Sequence, residues 1–388
     1  MGQNGSRAFR DNQTFVCSTR VSALSVGRQT ALFCEQTRKK RLFELNETAS
    51  HIWRDLAAGR TVQQAVLSLE ALGTAQHVAQ QYVAQQLEEW LRLGHLAPSD
   101  VLAQTQGSPS ASMWLALDEM NVELNMFGDA DTSAISQAFA TIAVGAPTRT
   151  SVRVSVIGAG DEDFLLRDDA LLGMAHRRHT APRLKTLLTE QYLRTAADGF
   201  CTHGALATLA GRNVFLAGAP GAGKTTLVLA LAASGFEYGG DDTVRFNQCG
   251  MAKGLPFTAS AKGPSWDVLV PFYPDILSIP VHERLDGKHT RYIAPARFND
   301  GAFRPMVACL LLLREKDAQP RLEPISPLEA LSAILRNAYI EHPPPVVDAP
   351  IRALAANLST AICARLVYDD LIDAVQLVRS AVAPGRRG

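Results

Sequence analysis

Gly218-Ala219-Pro220-Gly221-Ala222-Gly223-Lys224-Thr225 fits the pattern G-x-x-x-x-G-K-[ST]. Its flanks read correctly for a phosphate-binding loop. Upstream, Asn213-Val214-Phe215-Leu216-Ala217 predicts a short buried strand; downstream, the run from Thr226 to Ala233 predicts a helix. Glycines bare the backbone N–H groups, and the positive end of the helix dipole favours negative charge. The expected nucleotide contacts are Gly218, Ala219, Pro220, Gly221, Ala222, Gly223, Lys224, Thr225 and Thr226. Lys224 is expected at the β- and γ-phosphates, and the Thr225 hydroxyl on Mg²⁺.

Working outward, Ser234 to Gly240 leads from the expected helix into a short strand that ends at Asp241-Asp242. Phosphoryl transfer asks for a metal ligand and a group that takes a proton from the attacking hydroxyl. Two adjacent carboxylates at a strand end point to opposite sides, so one can serve each task. From residue 201 to 383 strands and helices alternate, which argues an α/β nucleotide-binding sheet. Lys262 and Arg291 are candidate charge clamps for a phosphate, or surface charges. His176-Arg177-Arg178-His179 reads as a basic, solvated loop, and Pro343-Pro344-Pro345 as a stiff connector.

Bulk properties set limits. The chain has 388 residues, 47% hydrophobic, which supports a sizeable core in two or three domains. Lys+Arg and Asp+Glu balance at 38 each, so charge supplies no case for nucleic acid or an anionic membrane as partner. The six cysteines are scattered without metal spacing and read as free thiols of a reducing compartment. The polar N-terminus has no signal-peptide core, and the longest apolar run, Met306 to Leu313, suits a buried strand. These readings together predict a soluble cytoplasmic protein.

The expected organisation is a disordered segment at 1–14, a compact α+β unit at 15–97, a linker at 98–112, an intermediate α+β region at 113–200, and the P-loop domain at 201–383. In the 15–97 unit, extended runs at Arg28–Glu35 and Arg41–Leu45 precede helices at Glu47–Ala57, Val62–Leu72 and Val78–Leu93. Asn46 is a candidate helix cap.

Read with its surroundings, the P-loop resembles the HPr kinase/phosphorylase C-terminal domain and related kinases. The matching residues are His203-Gly204, the strand at 211–217, the loop, and Gly239-Gly240-Asp241-Asp242. The resemblance implies an α/β P-loop kinase using ATP and Mg²⁺, with Lys224, Asp241, Asp242 and His203 catalytic. It assigns Asp241 as general base and Asp242, with Thr225, to the metal; the exchanged assignment stays open. His203 then lies near the phosphates or the acid pair, or is a hydrogen-bonded core residue. Residues 247–266 lack the Glu-containing signature of the HPr kinases proper. This departure points away from phosphorolysis and HPr, toward the kinases of peptide-tailoring pathways.

Phe43-Glu44-Leu45-Asn46-Glu47-Thr48-Ala49-Ser50-His51-Ile52-Trp53, followed by Gly59-Arg60-Thr61-Val62, resembles the PqqD-like recognition fold. The resemblance implies a small winged-helix-like domain that captures the leader of a ribosomally made precursor peptide as an added strand; a winged-helix-like domain used for dimerisation or intramolecular docking stays open. The resemblance implies a leader site at Arg41, Leu42 and Phe43, walled by Tyr82 and Leu87. It also implies a precursor peptide, as in lasso-peptide pathways, as partner, with other peptide-maturation enzymes as further partners. The whole chain then reads as a Ser/Thr kinase of that peptide. A kinase of a folded protein or small hydroxyl compound stays open, as does a nucleotide-dependent adaptor without catalysis. Oligomeric state does not carry over.

Overall fold

A computed structural model describes residues 9–18, 21–26, 29–36, 39–195, 199–255, 257–339 and 348–383. Pro343–Pro345, the basic tail at 385–388 and most of the first 14 residues lie outside this range. The fold is mixed α/β and divides into two compact units. The first comprises Met1–Leu115, Met120–Thr132 and Val144–Thr180; the second comprises Ala116–Glu119, Ser133–Ala143 and Ala181–Gly388.

In the first unit an antiparallel sheet runs Val21–Val26, Gln29–Gln36, Lys39–Leu45. Three helices follow, Glu47–Ala57, Val62–Ala71 and Gln76–Arg92. Asn46 caps the first through the Ala49 N–H at 2.8 Å. Thr61 and Gln64 form a capping box on the second, satisfying two orphan N–H groups reciprocally. Val83, Leu87, Trp90 and Leu91 recur at helical spacing and pack inward with Trp53 and Ile52. The same core takes in Phe127, Ile157, Phe164 and Leu166 from a second sheet that includes Met120–Gly128, Val152–Ala159 and Glu162–Arg167. The 15–97 segment therefore shares its core with part of the intermediate region.

Two sequence expectations need correction here. The 98–112 stretch is not a bare linker. Leu96–Pro98 pairs with Phe15–Cys17, a helix spans Ser99–Leu102, and Val101 is buried. Its Ser, Gln and Pro content masks a few apolar anchors. Within the expected disordered start, Gln13 and Asp11 carbonyls accept the Val62 and Gln63 N–H groups at 3.0 and 2.9 Å. These contacts satisfy donors at a helix start.

The second unit is built on a six-stranded sheet ordered Glu237–Gly240, Ala205–Leu209, Arg212–Ala217, Met306–Arg314, Ile362–Tyr368, Arg321–Pro324. The three central strands from Arg212–Ala217 to Ile362–Tyr368 are mutually parallel. Alternation on the P-loop strand fills both faces. Val214 and Leu216 pack toward the helices Lys224–Ala233 and Leu371–Val382. Phe215 and Ala217 pack toward Pro327–Arg336 and Asp348–Leu358. A strand covered on both faces reads as a continuous apolar run, as Met306 to Leu313 does. A second sheet, ordered Ala252–Gly254, Thr243–Asn247, Gly199–His203, Ala338–Tyr339, is antiparallel. The helix Thr180–Thr195 lies, from Ala181 onward, with this unit and not with the region before it. Among the described residues no helix is long and apolar enough to cross a membrane.

Candidate active site

The P-loop follows the carboxyl end of the central strand Arg212–Ala217, where open α/β sheets bind ligands. Gly223 begins the helix in the left-handed region, φ +93°, and a Cβ there would lie 3.0 Å from the Tyr368 hydroxyl. A non-glycine residue is disfavoured on both counts. This helix start has no side-chain cap, so its first N–H groups are directed at the cleft without a competing carboxylate or hydroxyl. The Lys224 ammonium donates to the Gly218 and Ala219 carbonyls at 2.9 and 3.3 Å, which folds it over the loop. Burial lowers its pKa and Lys262 adds to this, while Asp242 and Asp241 oppose.

The acid pair sits where the chain leaves one sheet for the other, between the strands Glu237–Gly240 and Thr243–Asn247. Gly240 makes the crossing possible: its φ is +131°, and a Cβ would come within 2.4 Å of the Leu255 carbonyl oxygen. The His203–Gly204 step makes the same change of sheet, from Gly199–His203 to Ala205–Leu209. The two crossings touch. His203 Nδ1 meets the Asp242 carbonyl at 2.8 Å and the Gly204 N–H reaches the same oxygen at 3.4 Å. A carbonyl only accepts, so Nδ1 carries the proton and Nε2 is left as the acceptor in the neutral ring. His203 thus anchors the acid pair's backbone and lines the cleft.

The two carboxylates have different surroundings. Asp241 is 2% exposed, accepts the Tyr238 hydroxyl at 3.0 Å, and faces the Ser260 N–H at 3.5 Å. Asp242 has a side chain 42% exposed and accepts Lys185 Nζ at 2.8 Å. Burial and then the Asp242 charge raise the Asp241 pKa, although Lys185, Tyr238 and Ser260 pull the other way. Burial would raise Asp242 as well, but the Lys185 ion pair outweighs it, helped by His203 and Arg284. The result lies below the ordinary carboxylate range. One carboxylate is pushed toward holding a proton and the other toward remaining charged, the separation expected of an acid–base assignment.

One cleft of about 1500 Å³ is lined by Pro220, Gly221, Gly223, Lys224, Thr225 and Thr226 together with His203, Asp241 and Asp242. Gly218, Ala219 and Ala222 complete the loop, although they are not among the lining residues. Lys262 lines the cleft. Arg291 is not among the lining residues: its guanidinium hydrogen-bonds the Ile279 carbonyl and lies 4.3 Å over the Trp266 ring. That stacking covers one face of the guanidinium.

Sequence reasoning missed Lys185, Tyr238 and Arg284. A signal for Lys185 existed: Ala181, Leu184, Leu188 and Tyr192 form the buried stripe of its helix, and Lys185 falls on the same face. Arg284, on a turn at the cleft, carries no local signal.

A magnesium nucleotide fits these residues. Among the described residues no group of three or more His, Cys, Asp or Glu side chains could hold a metal ion. Mg²⁺ is ordinarily bound by one or two protein oxygens plus phosphates and water, and Thr225 and Asp242 meet that lesser demand.

In the first unit, Arg41 and Leu42 are exposed on the edge strand Lys39–Leu45, and Phe43 is half-buried with its ring 5.2 Å from His95. Tyr82 is exposed, whereas Leu87 is fully enclosed in the core and offers no surface. Leu87 therefore drops out as a groove wall, because its helical position faces inward with Val83 and Trp90.

No family model matches the chain, and no curated protein matches it. Among solved structures, the HPr(Ser) kinase/phosphatase from Coxiella burnetii is similar at 11% identity. The similarity covers 46% of this chain and 88% of that one, with a TM-score of 0.22. A likeness at that level decides neither fold nor activity.

Proposed function

We propose that this chain is an ATP-dependent kinase that phosphorylates a Ser or Thr hydroxyl of a ribosomally made precursor peptide. The observation that carries the reading is the meeting of Lys224 and Thr225 with the Asp241–Asp242 pair in one cleft. The hydroxyl proton passes to Asp241, the freed oxygen bonds to the γ-phosphorus of ATP, and the bond to ADP breaks. Lys224 and the loop N–H groups hold the phosphates. Thr225 and Asp242 would hold Mg²⁺, which would supply neutralisation of phosphate charge. Positioning and electrostatics are the main demands of this chemistry.

The peptide half of the proposal rests on the first unit. Strand Lys39–Leu45 is a sheet edge in the order of its three strands, with Arg41 and Leu42 exposed along it. An extended leader would add there as a further strand, with backbone pairing for affinity and alternate side chains for selectivity. Tethering by a leader raises the local acceptor concentration to about the mM range, which suits an open cleft.

Mass spectrometry of candidate peptides incubated with the protein, ATP and Mg²⁺ is the direct test. A gain of phosphate mass on Ser or Thr is expected. Phosphate appearing only on small alcohols or folded proteins would overturn the peptide assignment, and ATP left unchanged with every acceptor would overturn the kinase.

A further inference from the structure

We infer that Lys185 is a positioning residue of the phosphoryl-transfer site: a built-in cation that allows Asp241 and Asp242 to stand side by side in the lining of the cleft. The inference rests on the kinase reading above.

Lys185 comes from the helix Thr180–Thr195, remote in sequence from the P-loop and the acid pair. Its side chain is only 14% exposed. Lysine rarely sits so deeply without a partner, because stripping water from an ammonium is costly. Here the ammonium has two: Asp242 Oδ2 at 2.8 Å and Asp241 Oδ1 at 3.8 Å. It also lies 5.5 Å from the centre of the Phe257 ring, which presents a face rather than a competing acceptor.

Adjacent carboxylates repel, and the more buried one bears the larger desolvation penalty. A fixed cation bridging both offsets that repulsion from the protein's own chain. The bridge also selects geometry. Asp241 Oδ1 is held between the Tyr238 hydroxyl and Lys185, leaving its other oxygen near the Ser260 N–H. An Asp241 so constrained has few orientations to lose before it meets an acceptor hydroxyl. Lys185 is absent from the residues lining the cleft, so it acts through the aspartates.

The test uses the full-length protein with ATP and Mg²⁺, water serving as acceptor, and reads ADP release. Lys185→Met is expected to lower kcat about tenfold or more, less than the roughly 10²–10⁴-fold loss of the general base itself, because the base is displaced and not removed. KM for ATP should stay within about threefold, because the P-loop contacts are unaltered, and Lys185→Arg should recover most of kcat by restoring the cation. Lys185→Gln, which keeps a hydrogen-bonding head without charge, serves if the Met variant does not fold, and should behave like it. A merely structural lysine would show kcat unchanged once corrected for folded protein, or kcat and KM worsening together without rescue by Arg; either result overturns the inference. If the wild type releases ADP but the neutral variants match it, this inference falls alone. If the wild type releases ADP neither to water nor to any peptide, folded-protein or small-alcohol acceptor, the kinase reading falls and takes the inference with it.

Discussion

The Tyr238 hydroxyl lies 3.0 Å from Asp241 Oδ1 and 3.1 Å from the Phe257 carbonyl oxygen. A phenol has one hydrogen, so these two acceptors compete for it. The hydroxyl thereby joins the proposed base to the segment just before the strand Ala259–Lys262. Tyr238→Phe removes this donor while keeping the ring. A hydrogen bond to a charged group contributes about 1.5–3 kcal/mol, so activity should fall roughly tenfold or more. The acid limb of the rate profile should also move to higher pH, because Asp241 loses a group that favours its ionised form. A pH–rate comparison of variant and wild type checks this; an unmoved limb counts against Asp241 as base.

Asp241 also makes a stability prediction of definite sign. Its pKa is raised on folding, chiefly by burial. The folded state therefore binds this proton more tightly than the unfolded chain. Ionisation opposes folding above the raised value, and the penalty disappears as pH falls through it toward the ordinary carboxylate value. Asp241→Asn should raise the melting temperature at neutral pH while lowering turnover by about 10²–10⁴-fold, the usual contribution of a general base. Calorimetry beside a kinase assay reads both, and a variant less stable and fully active would contradict both halves.

Lys224→Ala should remove the cation that folds over the loop. Loss of one preorganised charge partner of a transferring group costs on the order of 10²–10³ in kcat. Undiminished ADP release in this variant would exclude the P-loop as the catalytic phosphate site.

Gly240→Ala probes the crossing between the sheets. The added methyl group meets the Leu255 carbonyl oxygen at 2.4 Å and requires a positive φ. Strain of this kind costs about 1–3 kcal/mol, and relief would displace the acid pair. Urea unfolding should show the loss of stability and the kinase assay a parallel loss of turnover; an unperturbed variant would mean that the crossing tolerates a side chain.

Leu42→Asp places a charge on the exposed edge strand of the first unit. Binding of a fluorescent leader peptide should weaken about tenfold, a modest loss for a specificity pocket, with ADP release to water unchanged. Equal affinity in the variant would move the leader away from this edge.

The outcome of the sequence reading follows the range of the interactions involved. Asn46 is legible as a helix cap because a cap acts over three residues, whereas the Thr61 cap emerges only in the structure. The resemblance places Leu87 on a groove wall, but the periodic stripe it belongs to marks the buried side of its helix. The place of Arg291 is not legible because a lone arginine says nothing of which ring or carbonyl will receive it. The structured stretch at 96–106 was hidden by its composition, since only a few of its residues are anchors.

From the sequence alone came the phosphate loop between a buried strand and a helix, with an acid pair beyond it. That motif is contiguous, and its anion site is made of its own backbone amides and helix dipole. Tertiary structure alone decided that Lys185 bridges Asp241 and Asp242, that Tyr238 binds the more buried of them, and that His203 holds the backbone of the other. These contacts set the two carboxylates apart. They arise where strands change sheets and a distant helix packs beside them, and burial and charge at such a junction depend on chain segments with no local signature.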